Sequence, residues 1–413
     1  MNATEASAAG TKGTGQLMKP LLVLALATFA VGTDAFVIAG LLPAIAADLE
    51  VSIAAAGQLV TAFALTFAIT APILGWLLSS LDRRTALQLA LVVFAVGNAV
   101  TALSPDYVIA LVARILTAAG AATITATASS AAVAISPEAR RGRSMAFVIG
   151  GLTVSTALGM PLGNLIGSVD WRLTLWAVAA LGVIAAIGTS MGLPKIDLPA
   201  TSLSARLAPL RQPKVIVTLL ATLLVMGGHY TVYTYIGAIT ADALNGTFPQ
   251  ALTLVLLVWG LGAVLGNAIA GYLVDNLPTV RVAIVALAAA TALLAISPLA
   301  IDSLALVLLW AGIWGITDGA PSVIQQYRLV SIAPTSAPVL FGLNSSAVFL
   351  GIALGSGLGG VAQGWMSVTL LGLPAAVLAL IATILTVADG RTNQDAETSP
   401  NAASPAGDAT RRS

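Results

Sequence analysis

Four ionisable side chains stand inside stretches that otherwise read as hydrocarbon: Asp34, Arg114, His229 and Asp318. Asp34 lies in V-G-T-D-A-F-V-I-A-G-L-L-P, residues 31–43, within an apolar run from Leu21 to Ala47. An ionised carboxylate in such surroundings costs at least about 2–3 kcal/mol, so it must face an interior, find a partner or hold a proton. Arg114 keeps its charge and has the same need. Loss of water favours the protonated form of a carboxyl, and a neighbouring guanidinium favours the ionised form; a small change in either switches the group. Such a site can load a proton on one side of a barrier and release it on the other. The plainer alternative is a permanent Asp34–Arg114 ion pair that only fixes helix register. His229 either titrates near neutral pH or is a neutral histidine bonded to a neighbouring helix. Asp318, in G-I-W-G-I-T-D-G-A-P-S, is either a second proton-exchanging acid or the cap of a helix broken by Gly319 and Pro321. With one histidine and no cysteine, neither a histidine-built nor a thiolate metal centre is expected.

The elements that must position these groups are membrane helices. The chain of 413 residues is 58% hydrophobic and 8% charged, whereas a soluble domain carries roughly a quarter charged residues. Apolar segments recur at about 20 residues each, the length that crosses a bilayer as a helix. The expected spans are 20–46, 54–79, 86–103, 107–135, 144–168 and 173–192, then 214–239, 250–275, 280–300, 304–326, 338–362 and 369–388. Nothing shows the ten-residue alternation of a membrane barrel. With both termini in the cytoplasm, sixteen of the eighteen basic residues fall on the cytoplasmic side, Arg328 among its loops. Arg172 is left in an outer loop and Arg114 within a span. The first apolar run is too long for a signal-peptide core and is taken as a retained span. Net charge, +1, offers no nucleic-acid footprint.

Counting rises from the span ends puts Asp34, Arg114 and His229 at one level, roughly 10 Å from the outer face. The chain divides into a cytoplasmic tail (1–17), a six-helix bundle (18–192), a cytoplasmic linker (193–213), a second six-helix bundle (214–388) and a disordered cytoplasmic tail (389–413). The halves look like copies. G-W-L-L-S-S-L-D-R-R begins at Gly75 and G-Y-L-V-D-N-L-P-T-V-R at Gly271, 196 residues later; G-M-P-L-G at Gly159 and G-S-G-L-G at Gly355 keep the same offset. Parallel six-span repeats place a solute cavity between the halves near mid-membrane.

These motifs resemble the major facilitator superfamily, and within it the twelve-span drug:proton antiporters of the phenicol and sugar efflux type. The resemblance runs from about Leu21 to Asp389. It rests on T-D-A-F with G-L-L-P-A-I-A-A-D-L in span 1, A-G-Q-L-V-T-A-F-A-L in span 2, and the Gly75 element after it. A-R-I-L-T-A-A-G of span 4, R-R-G-R-S-M-A and G-L-T-V-S-T-A-L-G-M-P-L-G of span 5, D-W-R-L-T-L-W before span 6 and G-H-Y-T-V-Y-T-Y-I of span 7 complete it. It implies an all-α fold of twelve helices in two pseudo-symmetric bundles, and a proton-driven transporter with no cofactor. The transporter is expected as a monomer, multi-pass in a bacterial inner (plasma) membrane, with small molecules, protons and lipid as its partners.

The resemblance implies gating or structural roles for Gly75, Asp82, Arg83, Arg84, Gly159, Pro161, Gly163, Gly271, Asp275 and Arg281. Two departures stand out: Ser79 replaces the usual acid after span 2, while Asp275 keeps it in the second copy, and Met160 separates Gly159 from Pro161. Tyr230, Tyr233 and Tyr235 offer hydrogen bonds and ring faces to a solute. Trp310 and Trp314, one turn apart, line the cavity or face lipid. Of the polar residues in the spans, which either glue helices or contact solute, the resemblance favours Gln58 and Asn344 for substrate. G-T-S-M-G at 188–192 matches a nucleophile-elbow pattern, yet it lacks the strand-to-helix turn and is far in depth from the sole histidine, leaving an intramembrane hydrolase as a remote reading. No phosphate-binding loop suggests an ATP-driven pump. A nutrient symporter of the same fold is the nearer rival to export.

Overall fold

The structure, a computed structural model, describes residues 3–78, 81–196, 204 and 207–398, and the described residues contain helices and turns but no strand. Among the described residues, eleven helices are long and apolar enough to cross a membrane: α1 Leu17–Asp48, α2 Ile53–Leu74, α3 Arg83–Leu103, α4 Tyr107–Ala134, α5 Glu138–Gly167, α6 Trp171–Gly192, α7 Pro213–Tyr233, α8 Ala251–Asn276, α10 Leu304–Ile332, α11 Val339–Ala362 and α12 Val368–Gly390. A shorter apolar helix, α9 Thr279–Ala295, makes the twelfth. The loop acids and serines that punctuate the sequence serve as N-caps. Asp82 accepts from the Thr85 amide, Asp106 from that of Ile109, and Ser52 from that of Ala55. The backbone helix of α1 starts at Ala3 and that of α12 runs to Thr398, past the points where polar tails are expected; residues 399–413 and Ser79 lie outside the described residues. Once a packed helix exists, adding residues to its end needs no new nucleus.

Three helices depart from the sequence expectation. Helix α5 carries a π-helical turn at Ser155–Gly159, where the Met160 amide donates to the Ser155 carbonyl. Pro161 follows; its missing N–H and its ring disturb the ladder one turn back, and the wider turn absorbs this. Helix α7 stops at Tyr233 rather than near residue 239, and short helices Ile236–Ile239 and Ala241–Leu244 follow it. Thr231, Val232 and Thr234, with Tyr233 between them, are weak helix formers, and tertiary bonds take over there. Helix α10 is unbroken from Leu304 to Ile332 with Pro321 inside it, so Asp318 caps no break, and Arg328 is buried in this helix rather than in a loop.

Within each half, glycines let one helix lie against another. A Cβ at Gly163 would meet Val37 of α1 at 2.6 Å, and one at Gly359, its counterpart in α11, would meet the Thr231 carbonyl of α7 at 3.0 Å. The α1–α5 contact of the first half is thus repeated as α7–α11 in the second, at the offset of 196 seen in the sequence. Between halves, α2 packs on α11, and α8 on the π-turn and the following part of α5. Phe67 stacks on Phe349 at 3.6 Å, Thr61 and Ser356 share a hydroxyl bond of 2.9 Å, and Thr253 donates to Asn164 at 2.7 Å. These contacts run from mid-depth toward the end of the bundle opposite the chain termini, hereafter the far end. At the terminal end, Cβ positions on Gly142, Gly150, Gly271 and Gly342 would enter open space.

Candidate functional site

Asp34 comes from α1 and Arg114 from α4, and the sequence around each is small enough for the helices to approach. Arg114 Nη1 donates to Asp34 Oδ1 at 2.6 Å, with side chains 1% and 0% exposed. The guanidinium also lies over the Phe63 ring of α2, 4.3 Å from its centroid, a cation–π contact strengthened by the burial of both groups. Among the described residues, Asp34 Oδ2 and Arg114 Nε have no hydrogen-bond partner, so the pair is neutral in sum but incompletely satisfied.

The second half holds a different centre. Trp314 of α10 donates its indole N–H to His229 Nδ1 of α7 at 2.7 Å, and Asp318 Oδ1 stands 3.5 Å from the same nitrogen. An indole only donates, so Nδ1 here is an acceptor and carries no proton. The close carboxyl and imidazole therefore do not form a charged pair in this arrangement. A belt of rings joins this centre to α1: Trp310 stacks on Trp314 at 4.8 Å, Trp314 meets Trp259 of α8 at 5.7 Å, Trp259 meets Tyr233 at 4.5 Å, and Tyr233 meets Tyr230 at 5.1 Å. The Tyr233 hydroxyl donates across the halves to the Phe36 carbonyl at 3.0 Å, two residues from Asp34.

A family model, the Major Facilitator Superfamily, matches residues 24–356. The chain belongs to the major facilitator superfamily. It is 33% identical over 373 residues, 88% of this chain and 95% of the relative, to the uncharacterized MFS-type transporter YbcL of Bacillus subtilis. It is 33% identical over 368 residues, 88% of this chain and 94% of the relative, to the inner membrane transport protein YdhP of Escherichia coli. A chloramphenicol resistance protein of Streptomyces lividans is 33% identical over 265 residues, 63% of this chain and 67% of its own length. This is a multi-pass membrane transporter and not an enzyme.

In this transporter the titratable groups that sequence counting places at one level form two centres: Asp34 with Arg114, and His229 with Trp314 and Asp318. Helix rotation, invisible to depth counting, makes that division. Trp310 and Trp314 are buried at 3% and 1% exposure, which excludes the lipid-facing option, and the Trp310 indole donates to the Leu293 carbonyl. Tyr235 donates to the Ser356 carbonyl at 2.8 Å. Gln58 donates to the Ala54 carbonyl, and Asn344 accepts from Thr222 while its Nδ2 has no partner among the described residues. At the terminal end Asp82 caps α3 and also accepts from the Thr85 hydroxyl, which holds its carboxyl below the usual range. The Arg83 amide donates to the Ile196 carbonyl and the Arg84 guanidinium to the Ser190 carbonyl; Gly75 follows α2, in the helical backbone that continues to Leu77. Asp275 and Arg281 are exposed, at the end of α8 and the start of α9.

Sequence reasoning misses Phe63, Trp259 and the buried Arg328–Asp389 pair at 2.8 Å, which ties α10 to α12. An aromatic in an apolar span carries no mark of the side it faces, so Phe63 gives no signal. Trp259 could have been found as a mid-span tryptophan followed by the small residues of G-L-G.

Proposed function

We propose that this transporter is a proton-coupled exporter of small amphipathic solutes, phenicol-like or sugar-like, working by alternating access with both termini at the cytoplasmic face of a bacterial inner membrane. The observation that carries the reading is the Asp34–Arg114 pair, fully buried and partly unsatisfied beside the plane where the halves meet. A proton on Asp34 cancels the carboxylate and leaves Arg114 as an uncompensated cation in a medium that penalises it by several kcal/mol. Loading the proton therefore favours whichever conformer gives the guanidinium water or another acceptor, and release restores the neutral pair. Asp318 and His229 supply a second exchangeable site, on the other side of the ring belt. With the far end facing outward, the sealed contacts make this conformer one that faces the cytoplasm. The resemblance to a protein named for chloramphenicol resistance favours phenicols over sugars as the first solutes to try.

The test is flux in reconstituted vesicles under imposed inside-acid and outside-acid gradients. Asp34→Asn, which retains an acceptor for Arg114, is expected to lose gradient-driven flux while solute exchange persists. Driven uptake unchanged in Asp34→Asn removes Asp34 from the coupling step. The sign of the gradient that drives uptake separates exporter from symporter.

A further inference from the structure

Tyr235 sits just past the end of α7, and the chain holds it in place from both sides. Its amide donates to the Val232 carbonyl, and its own carbonyl accepts from Ala238 and Ile239. The side chain is 1% exposed and its hydroxyl donates to the Ser356 carbonyl of α11, in its own half. The ring fills a socket that only glycines leave open. A Cβ on Gly359 would meet ring carbon Cε2 at 2.5 Å, and one on Gly360 would meet the hydroxyl at 2.9 Å; both glycines belong to α11. The fourth side of the socket comes from the other half, where a Cβ on Gly57 of α2 would fall 2.6 Å from ring carbons Cε1 and Cζ. Four residues along α2, Thr61 bonds the Ser356 hydroxyl across the same seam.

The ring is thus anchored to one half and inserted against a bare backbone surface of the other. Since Gly359, Gly360 and the Ser356 bond move with Tyr235, parting of α2 from α11 strips away the Gly57 wall alone. We propose that Tyr235 is the positioning residue of the far-end gate, a key carried by the second half whose seating on Gly57 sets the stability of the far-end-closed conformer. The proposal rests on the alternating-access reading of the function, and it gives Tyr235 a gating role instead of a solute contact.

The experiment reads far-end separation directly. The chain has no cysteine, so Val169→Cys and Trp365→Cys, at positions 82% and 81% exposed beyond α5 and α11, introduce a spin-label pair across the far end. Distances are measured by electron–electron double resonance in nanodiscs, with no solute or proton gradient. Gly57→Ala is expected to raise the long-distance, far-end-open population by about tenfold, from a minor state to a dominant one. Gly142→Ala, at a glycine with open space around it, is expected to leave the distribution unchanged and controls for handling. Adding Tyr235→Ala to Gly57→Ala removes the clash and is expected to abolish the dependence on residue 57, so that Tyr235→Ala alone and the double variant give the same distribution. An unchanged distribution in Gly57→Ala, or an equal Gly57→Ala shift with and without the Tyr235 ring, overturns the proposal. Variants are compared only after size-exclusion chromatography shows the same monodisperse peak; if Gly57→Ala fails this, Tyr235→Ala alone is compared with wild type, a raised far-end-open population being expected and an unchanged one overturning the proposal. Loss of proton coupling in the flux assay leaves these distances unaffected, so the two readings fail separately.

Discussion

Arg114 has one carboxylate acceptor, and the geometry around it makes the consequences of losing that acceptor unequal. Asp34→Asn keeps an oxygen for the guanidinium, whereas Asp34→Leu leaves the charge buried against the Phe63 face without its carboxylate. Asp34→Leu is expected to lower stability by about 3–5 kcal/mol, and Asp34→Leu with Arg114→Met to recover most of that, because two apolar side chains of similar volume replace the pair. Thermal unfolding of the detergent-solubilised variants checks the order. In the second centre, Trp314→Phe removes the donor to His229 Nδ1 and is expected to cost about 1–3 kcal/mol, the penalty of an unsatisfied buried acceptor. Retained stability in Trp314→Phe would mean that another donor, Asp318 in its protonated form being nearest, takes over the nitrogen.

At the scale of helices, small residues decide how closely the elements pack and caps decide where they begin. Gly355→Ala forces a methyl against the Gly227–Thr231 backbone of α7, which cannot rotate away as a side chain would. It is expected to cost about 1–3 kcal/mol, while Gly142→Ala stays within about 0.5 kcal/mol of wild type. Asp82, at the start of α3, is expected to lose about 1 kcal/mol when replaced by alanine. Its carboxyl is held below the ordinary range by the Thr85 hydroxyl and amide, so the cap contributes fully above the unfolded value and fades as pH falls through the lower folded one. Melting curves of wild type and Asp82→Ala are therefore expected to differ near neutral pH and to converge only below about pH 4. The break after Tyr233 belongs to this scale too: had α7 continued as a regular helix, Tyr235 would not meet its glycine socket.

As a whole molecule, the transporter is two six-helix halves joined along α2–α11 and α8–α5. Aromatic, hydroxyl and glycine contacts at this seam lie between mid-depth and the far end. Cells carrying the gene on a plasmid are expected to grow at several-fold higher chloramphenicol than cells carrying Asp34→Asn at equal membrane abundance. Equal growth of the two, with protection retained, would show that export proceeds without this acid. Protection against sugar stress in place of chloramphenicol would move the solute assignment to the sugar class.

Much of this architecture is already determined by the amino-acid order. Twelve apolar segments, cap residues before several of them, the 196-residue offset and the segregation of basic residues follow from composition along a line, because lipid requires each span to satisfy its own backbone. Asp34 and Arg114 stand out for the same reason, as charges no bilayer tolerates without a partner. What the sequence could not determine is who the partners are. Pairing Arg114 with Asp34, His229 with Trp314, Arg328 with Asp389 and Tyr235 with three glycines depends on how far each helix is rotated and how closely it packs. Those quantities are set by side chains distant in sequence that meet only in the folded bundle, so they have no signature in any one span.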